Sequence, residues 1–130
     1  MAIQIAISLK NARLDAVETA IGASPYVQIR TGAPPEYVSS PDSGTVLATI
    51  NCPADWMADA VGGSKSKLGT WSGVGLADGV AGHFRLYNSG GDAQIQGTVT
   101  GSGGGGDAII QNVNIAVDQP VAIVGFTLSE

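Results

Sequence analysis

The sequence predicts a mainly β fold, an antiparallel β-sandwich or flattened barrel of about seven or eight strands with one N-terminal α-helix. Segments of β-forming residues recur every 10–12 residues between turns rich in Gly, Pro, Asn and Asp, and one segment alone has helical periodicity. Glycine contributes 19 of the 130 residues, about twice its average share of roughly 7%. This length suits one domain, so residues 1–130 are expected to form a single β-sandwich domain.

The predicted helix covers residues 9–21 and follows an arm or short edge strand at residues 1–8. A helix of this length is marginal in water by itself, so it must pack on the sheet. Ser8 offers an N-cap hydroxyl, and Gly22 suits the left-handed residue that ends many helices. The helical face that we expect to be buried consists of Leu14, Val17 and Ile21.

The predicted sheet occupies residues 26–128. Strands are expected at 26–31, 45–51, 68–76, 83–87, 93–99, 107–117 and 121–128. The last of these segments is almost continuously apolar, which predicts either burial on both of its faces or a strand in the middle of the sandwich. Residues 53–68 give a mixed pattern, a helical turn followed by a polar tract, and are expected to form a loop.

The charge balance limits the classes of partner. Six Lys and Arg residues against 11 Asp and Glu residues give a net charge of −5. A surface that binds phosphates needs clustered cations, so we expect no nucleic-acid partner. No apolar run approaches 18 residues, and no basic segment precedes an apolar one as in a secretory signal, so we expect no membrane partner.

Side chains suited to catalysis are scarce, so we expect no enzymatic activity, no cofactor and no metal site. His83 is the single histidine, heads a predicted strand, and has no G-x-S-x-G nucleophile motif to serve. Cys52 is the single cysteine and is expected to be a small buried side chain. The acidic residues lack the spacing of a calcium loop, and the glycine-rich tracts lack the spacing of a phosphate loop.

Partner contacts are expected from the segments least able to bury their own side chains: the arm, the loop at residues 32–44 and the loop at 53–68. For the last loop two interpretations stay open, because an aromatic–Met pair is either an exposed anchor or a lid over the open end of the sandwich. The candidate contact residues are Ile3, Ile5, Pro34, Pro35, Tyr37, Trp56 and Met57.

Four stretches of the chain follow one another in a familiar order. They are KNARLDAVETAIG at 10–22, YVQIRTGAPP at 26–35, TVLATI at 45–50 and the run from FRLYNSGGD to VGFTL at 84–128. The last run has a strand with a charged centre, a polar turn, a QGTV strand, a glycine-rich turn before Asp and a Q-P-V turn. In these features the chain resembles a family of small virion proteins encoded among the head and structural genes of tailed bacteriophages. Residues 53–68 depart from that pattern.

The resemblance implies a virion structural protein, specifically a capsid cement or decoration protein that binds the outside of an HK97-type shell and stabilises the mature head. It implies the major capsid protein as a partner, self-association on the capsid surface with a trimer as the candidate form, and synthesis in the host cytoplasm. One alternative is a neck, tail or fibre-base protein. Another is a carbohydrate-binding sandwich for host attachment, which exposed clustering of Trp56, Trp71 and Tyr37 would favour and burial of two of them would oppose.

Overall fold

The computed structural model describes residues 3–129, and within that range one helix precedes ten strands. The helix, α1, is Ile7–Ile21. The strands are β1 Tyr26–Arg30, β2 Val46–Asn51, β3 Ser64–Ser66, β4 Trp71–Gly75, β5 Gly79–Val80, β6 His83–Tyr87, β7 Ala93–Thr100, β8 Ala108–Ile110, β9 Asn114–Ile115 and β10 Pro120–Ser129.

Seven strands close a barrel. Their order around the wall is β10, β4, β2, β1, β6, β7, β8, and β8 pairs with β10 to complete the circle. β3 adds to the wall as a further partner of β10, while β5 and β9 form a separate two-stranded sheet. The prediction of a mainly β fold with one helix is confirmed, and the strand order corresponds to a barrel.

One pair of strands departs from the antiparallel arrangement that was expected. β7 and β8 are parallel, with Val99 opposite Ala108 and Thr100 opposite Ile109. The glycine-rich residues 101–107 form a loop that carries the chain back to the level of Val99, so that β8 starts beside the end of β7 and runs in the same direction. β8 is then antiparallel to β10 on its other side.

The core fills the barrel with side chains that alternate along each strand. Phe126 packs at its centre, with its ring centroid 5.1 Å from that of Trp71 and 5.6 Å from that of Phe84. The first pair is tilted and the second is edge-to-face, which are favourable arrangements for aromatic rings. Val27 and Ile29 of β1 are also fully buried in this cluster.

α1 begins two residues before the predicted start. Its N-cap is Ala6, whose carbonyl accepts the backbone N–H of Lys10, and the side chain of Ala6 makes no cap bond. Ser8 therefore lies inside the first turn and is not the N-cap, because the helix extends into the apolar arm. Gly22 ends the helix as predicted, with φ 88° and its N–H bonded to the carbonyl of Glu18.

The buried face of α1 is narrower than predicted. Leu14 and Ile21 are buried, whereas Val17 is only partly buried at the border of the core. Val17 remains accessible because it lies beside a groove between the helix and the barrel. The prediction is thus correct for two of the three residues.

A buried ion pair holds α1 on the barrel. Lys65 of β3 is 1% exposed, and its Nζ lies 2.7 Å from Asp15 Oδ1 and 3.0 Å from Glu18 Oε1. Burial lowers the pKa of Lys65, but the two carboxylates outweigh that effect and the net pKa is raised. Lys65 therefore stays charged at neutral pH and ties β3 to the helix.

Two strand predictions near the C-terminus need correction. Residues 107–117 do not form one strand but divide into β8 and β9. β10 is not buried on both faces: Val121 and Ile123 are buried, whereas Val124 is exposed. Nothing among the described residues covers the outer side of this strand at Val124, so its apolar run faces solvent at alternate positions.

Candidate functional site, a loop clamped to the barrel

The outer face of β6 is covered rather than exposed to solvent. All five residues of the strand are buried, because its two core residues alternate with His83, Arg85 and Tyr87 on the other face. In the strand register, Arg85 lies between Gln28 of β1 and Gln96 of β7. A polar outer face with this degree of burial requires a cover that supplies hydrogen-bond partners.

The cover is the loop of residues 31–45, which we call the clamped loop. Arg85 is 2% exposed and holds the loop backbone at two points. Its Nη1 donates to the carbonyl of Ser40 and its Nη2 donates to the carbonyl of Tyr37, both at 2.9 Å. Its Nε donates to Gln96 Oε1 at 3.0 Å. The planar guanidinium therefore fixes the loop segment from residue 37 to residue 40 against the barrel.

Asp42 completes the clamp from the loop side. Its Oδ1 accepts hydrogen bonds from Arg85 Nη1 at 2.9 Å and from the Tyr87 hydroxyl at 2.7 Å, and its Oδ2 accepts from Arg30 Nη2 at 3.1 Å. Partial burial raises the pKa of Asp42, but the hydrogen bonds from Tyr87 and Arg85 and the two guanidinium charges outweigh it, so the net pKa is lowered. Asp42 is thus a carboxylate at neutral pH.

The clamped loop presents Tyr37 to solvent. The side chain of Tyr37 is 62% exposed although its carbonyl is held by Arg85. Pro34 and Pro35 are partly buried, and the carbonyl of Pro35 accepts a hydrogen bond from Gln96 Nε2 at 2.7 Å. The arrangement is an exposed aromatic ring on a fixed backbone, which can contact a partner without first being ordered.

The segment 53–68 buries its aromatic side chain instead of exposing it. The expectation that Trp56 and Met57 are exposed contact residues is therefore corrected. These side chains are 0% and 1% exposed. Trp56 Nε1 donates to the carbonyl of Gly22 at 2.9 Å, and the Trp56 ring lies 5.9 Å from that of Trp71. The carbonyl of Gly22 at the end of α1 satisfies the indole N–H, which allows the whole ring to be buried. The burial of Trp56 and Met57 agrees with the interpretation of this pair as a lid and contradicts its interpretation as an exposed anchor.

The aromatic platform expected of a carbohydrate-binding protein is also missing from the described residues. Trp71 is buried and its Nε1 donates to the carbonyl of Leu68 at 3.1 Å. Since Trp56 is buried as well, Tyr37 alone of the three candidate stacking residues is exposed. The burial of both tryptophans counts against sugar binding by this set.

The two candidate contact residues of the arm are accessible to solvent. Ile3 is 92% exposed, and Ile5 is partly buried in the extended segment before α1. Both residues are therefore available to a partner.

The two side chains examined for nucleophilic or acid–base chemistry are internal. His83 is fully buried, with Nδ1 2.9 Å from the carbonyl of Gly32. Cys52 is buried, and burial raises the pKa of its thiol to about 12, so the thiol stays protonated at neutral pH. Within residues 3–129 no three His, Cys, Asp or Glu side chains are grouped to hold a metal ion.

Sequence reasoning missed the clamp, although part of its signal was visible. An arginine at the centre of the apolar strand HFRLY needs buried acceptors if the strand lies in a closed barrel. The partner acid could not be identified in this way, because Asp42 lies 43 residues from Arg85 along the chain.

Comparisons with known proteins yielded no family model, no characterised protein and no solved structure that matches the chain. No helix among the described residues has the length and apolar character needed to cross a membrane.

Proposed function

We propose that the chain is a structural protein of a tailed-phage virion, a cement protein that binds the outside of an HK97-type shell and stabilises the mature head. The phage context comes from the sequence resemblance. The structural observation that supports it is the clamped loop, where buried Arg85 fixes the backbone beneath exposed Tyr37. A contact residue held in this way suits a binding protein, since aromatic anchors contribute strongly at protein interfaces.

The distribution of charge supports a protein partner. Half of the six Lys and Arg residues of the chain are buried in ion pairs with carboxylates. The buried cations are Arg30, Lys65 and Arg85. They pair with three carboxylates, those of Asp15, Glu18 and Asp42, so the remaining charged side chains carry the net charge of −5, which favours a partner with basic side chains and disfavours a polyphosphate.

The stabilisation would act by mass action. A protein that binds the expanded lattice, and not the compact one, stabilises the expanded state by RT ln(1 + [L]/Kd), about 2.7 kcal/mol per site at a hundredfold excess over Kd. Because the clamped loop is already ordered before it binds, the entropic cost of ordering it subtracts less from the binding free energy. Repetition over identical sites of the shell multiplies the effect.

Binding of the purified chain to expanded heads and to compact procapsids tests this proposal. We expect the chain to co-sediment with expanded heads, to bind procapsids poorly and to raise the temperature at which heads release DNA. Heads that are equally stable with and without the chain, or a location at the neck or tail, would overturn the proposal.

Tyr37→Ala tests the role of the clamped loop in that contact. We expect about a tenfold or greater loss of affinity for expanded heads, with the melting temperature of the isolated chain unchanged. Val61→Ala is the matched control, because Val61 is also highly exposed and lies outside the loop. Equal losses for the two variants would show that the loop is not the specific contact.

A further inference from the structure

His83, the single histidine of the chain, lies beneath the start of the clamped loop. Its side chain is fully buried, and its Nδ1 lies 2.9 Å from the carbonyl oxygen of Gly32 in that loop. The loop packs directly on the chain that leads into β6, since a side chain at Gly82 would overlap the carbonyl of Gly32. The start of the clamped loop therefore covers His83.

The hydrogen bond to Gly32 defines which form of the imidazole fits beneath the closed loop. A carbonyl oxygen only accepts hydrogen bonds, so the hydrogen must be on Nδ1 of His83. In a neutral imidazole Nε2 then carries a lone pair and no hydrogen. Among the described residues this buried Nε2 has no hydrogen-bond partner. The closed loop thus accommodates a neutral imidazole, whereas an imidazolium would leave a buried N–H without an acceptor, which is destabilising.

The charges beneath the loop also disfavour an imidazolium. Arg30 lies directly opposite His83 in the pairing of β1 with β6, where Cβ atoms are about 5 Å apart and like charges destabilise the pair. Arg30 is 7% exposed, and its Nε has no hydrogen-bond partner among the described residues. The guanidinium groups of Arg30 and Arg85 share one carboxylate, that of Asp42. An imidazolium would add a third buried cation beside that single carboxylate.

The other acidic residues on the elements around His83 do not compensate that charge. Glu36 of the clamped loop and Asp78 before β5 are exposed. Asp107 is also exposed, and its Oδ2 accepts the hydroxyl of Thr98, the residue opposite His83 on β7. Exposed carboxylates are screened by water and contribute little. An imidazolium therefore needs water, which reaches His83 when the clamped loop lifts off β6.

We infer that His83 makes closure of the clamped loop dependent on pH: the loop closes over the neutral imidazole and opens when His83 takes up a proton. Since the open form alone hydrates the imidazolium, closure is at full strength above about pH 6.5, and the opening equilibrium rises up to about tenfold for each pH unit below it. Binding through Tyr37 then weakens with the fraction of open loop. This last consequence rests on the proposed function, whereas the opening is a property of the chain alone.

Hydrogen exchange at the amide of Ser40, which donates to the carbonyl of Tyr37, measures the opening in the isolated full chain. We expect its protection factor, which is corrected for the intrinsic effect of pH on exchange, to fall about thirtyfold between about pH 7.5 and about pH 5. His83→Asn can donate to Gly32 but cannot be protonated, so its protection should stay constant over this range. Constant protection in wild type, or an equal fall in His83→Asn, would overturn the inference.

Asp42→Asn is the matched control for this range. It should retain the wild-type fall in protection, because an aspartate titrates well below about pH 5 and histidine is the side-chain type whose ordinary charge change lies between about pH 5 and 8. A fall that disappears in Asp42→Asn and persists in His83→Asn would assign the pH dependence to the carboxylate and overturn the role of His83.

The nitrogen-15 chemical shifts of the His83 imidazole give a second readout that needs no variant. At about pH 7.5 we expect a protonated Nδ1 and an unprotonated Nε2. At lower pH an imidazolium signal should appear only as protection at Ser40 is lost. An imidazolium beneath a loop that is still protected, or a hydrogen on Nε2 at about pH 7.5, would overturn the inference. Expanded heads that fail to bind the chain would overturn the proposed function, while these two measurements on the isolated chain still decide the role of His83.

Discussion

The clamped loop and the segment 53–68 are both polar connections that contain an aromatic residue, yet they attach to the barrel in opposite ways. The clamped loop lies on the outer face of β6, held by Arg85 and Asp42, and leaves Tyr37 exposed. The segment 53–68 inserts Trp56 into the core and buries Lys65 against Asp15 and Glu18 of α1. Loop composition therefore does not decide whether an aromatic side chain is a contact residue. The group that anchors the loop decides it.

The two anchors also differ in physical character. Burial of Trp56 is an apolar contribution with one hydrogen bond to the carbonyl of Gly22, and it involves no titratable group. The clamp depends on the ionised carboxylate of Asp42 between two guanidinium groups. The burial of Trp56 should accordingly be insensitive to acid, whereas acid should weaken the clamped loop at Asp42; the ion pair of Lys65 with Asp15 and Glu18, also in the segment 53–68, is a separate titratable contact.

The largest effect is expected from Trp56→Ala. Removing a buried indole from the core should lower the free energy of unfolding by about 3–5 kcal/mol. Tyr37→Ala, in the other loop, should change it by less than about 0.5 kcal/mol, because its side chain is exposed. Urea denaturation of both variants measures the difference. Similar losses for the two would contradict the contrast between the loops.

A smaller loss is expected from Arg85→Met, which keeps much of the side-chain volume and removes the donors. The carbonyls of Tyr37 and Ser40 lose their buried partner, so we expect about 2–4 kcal/mol of destabilisation. Proteolysis within the clamped loop should also become faster. Lys67→Met is the control, since Lys67 is not part of the clamp, and it should cost less than about 1 kcal/mol. Equal losses of unfolding free energy and equal proteolysis rates in Arg85→Met and Lys67→Met would mean that Arg85 does not hold the clamped loop.

The smallest effect concerns pH. Because the pKa of Asp42 is lowered in the folded state from its ordinary 3.8, its stabilisation is fully present above that value and is lost as the pH falls through the lower folded-state pKa. Asp42→Asn should cost about 1 kcal/mol at neutral pH, and its difference from wild type should shrink below pH 3.8. Urea denaturation as a function of pH measures this.

Hydrogen exchange at the amide of Ser40, which donates to the carbonyl of Tyr37, locates the pH effect in the clamped loop. The amide should lose protection in acid while tryptophan fluorescence still reports a buried Trp56. The pKa of Asp15 is also lowered, chiefly by the hydrogen bond from Lys65, so Asp15→Asn serves as the comparison. A pH dependence that survives in Asp42→Asn but disappears in Asp15→Asn would assign the effect to the helix instead.

Part of the candidate site could be predicted from local sequence. The proline- and serine-rich composition of residues 32–44 predicts a loop, and it predicts Tyr37 as a contact residue within that loop. The same argument from composition also predicts Trp56 and Met57 as contact residues, and these two are buried. The two cases differ in what lies beneath each loop, a polar strand face in one and the open end of an apolar core in the other, and that difference is not local in the sequence.

The sequence by itself determined the helix, the main strands and the turns between them, because the conformation of glycine at the end of a helix and side-chain alternation along a strand act over a few residues. Only the tertiary structure decided the anchors of the loops. Arg85 meets Asp42 across 43 residues, and Trp56 meets Gly22 across 34. Such pairs form because closing the barrel brings distant strands and loops together, and each buried donor must then find an acceptor among groups that local pattern does not specify.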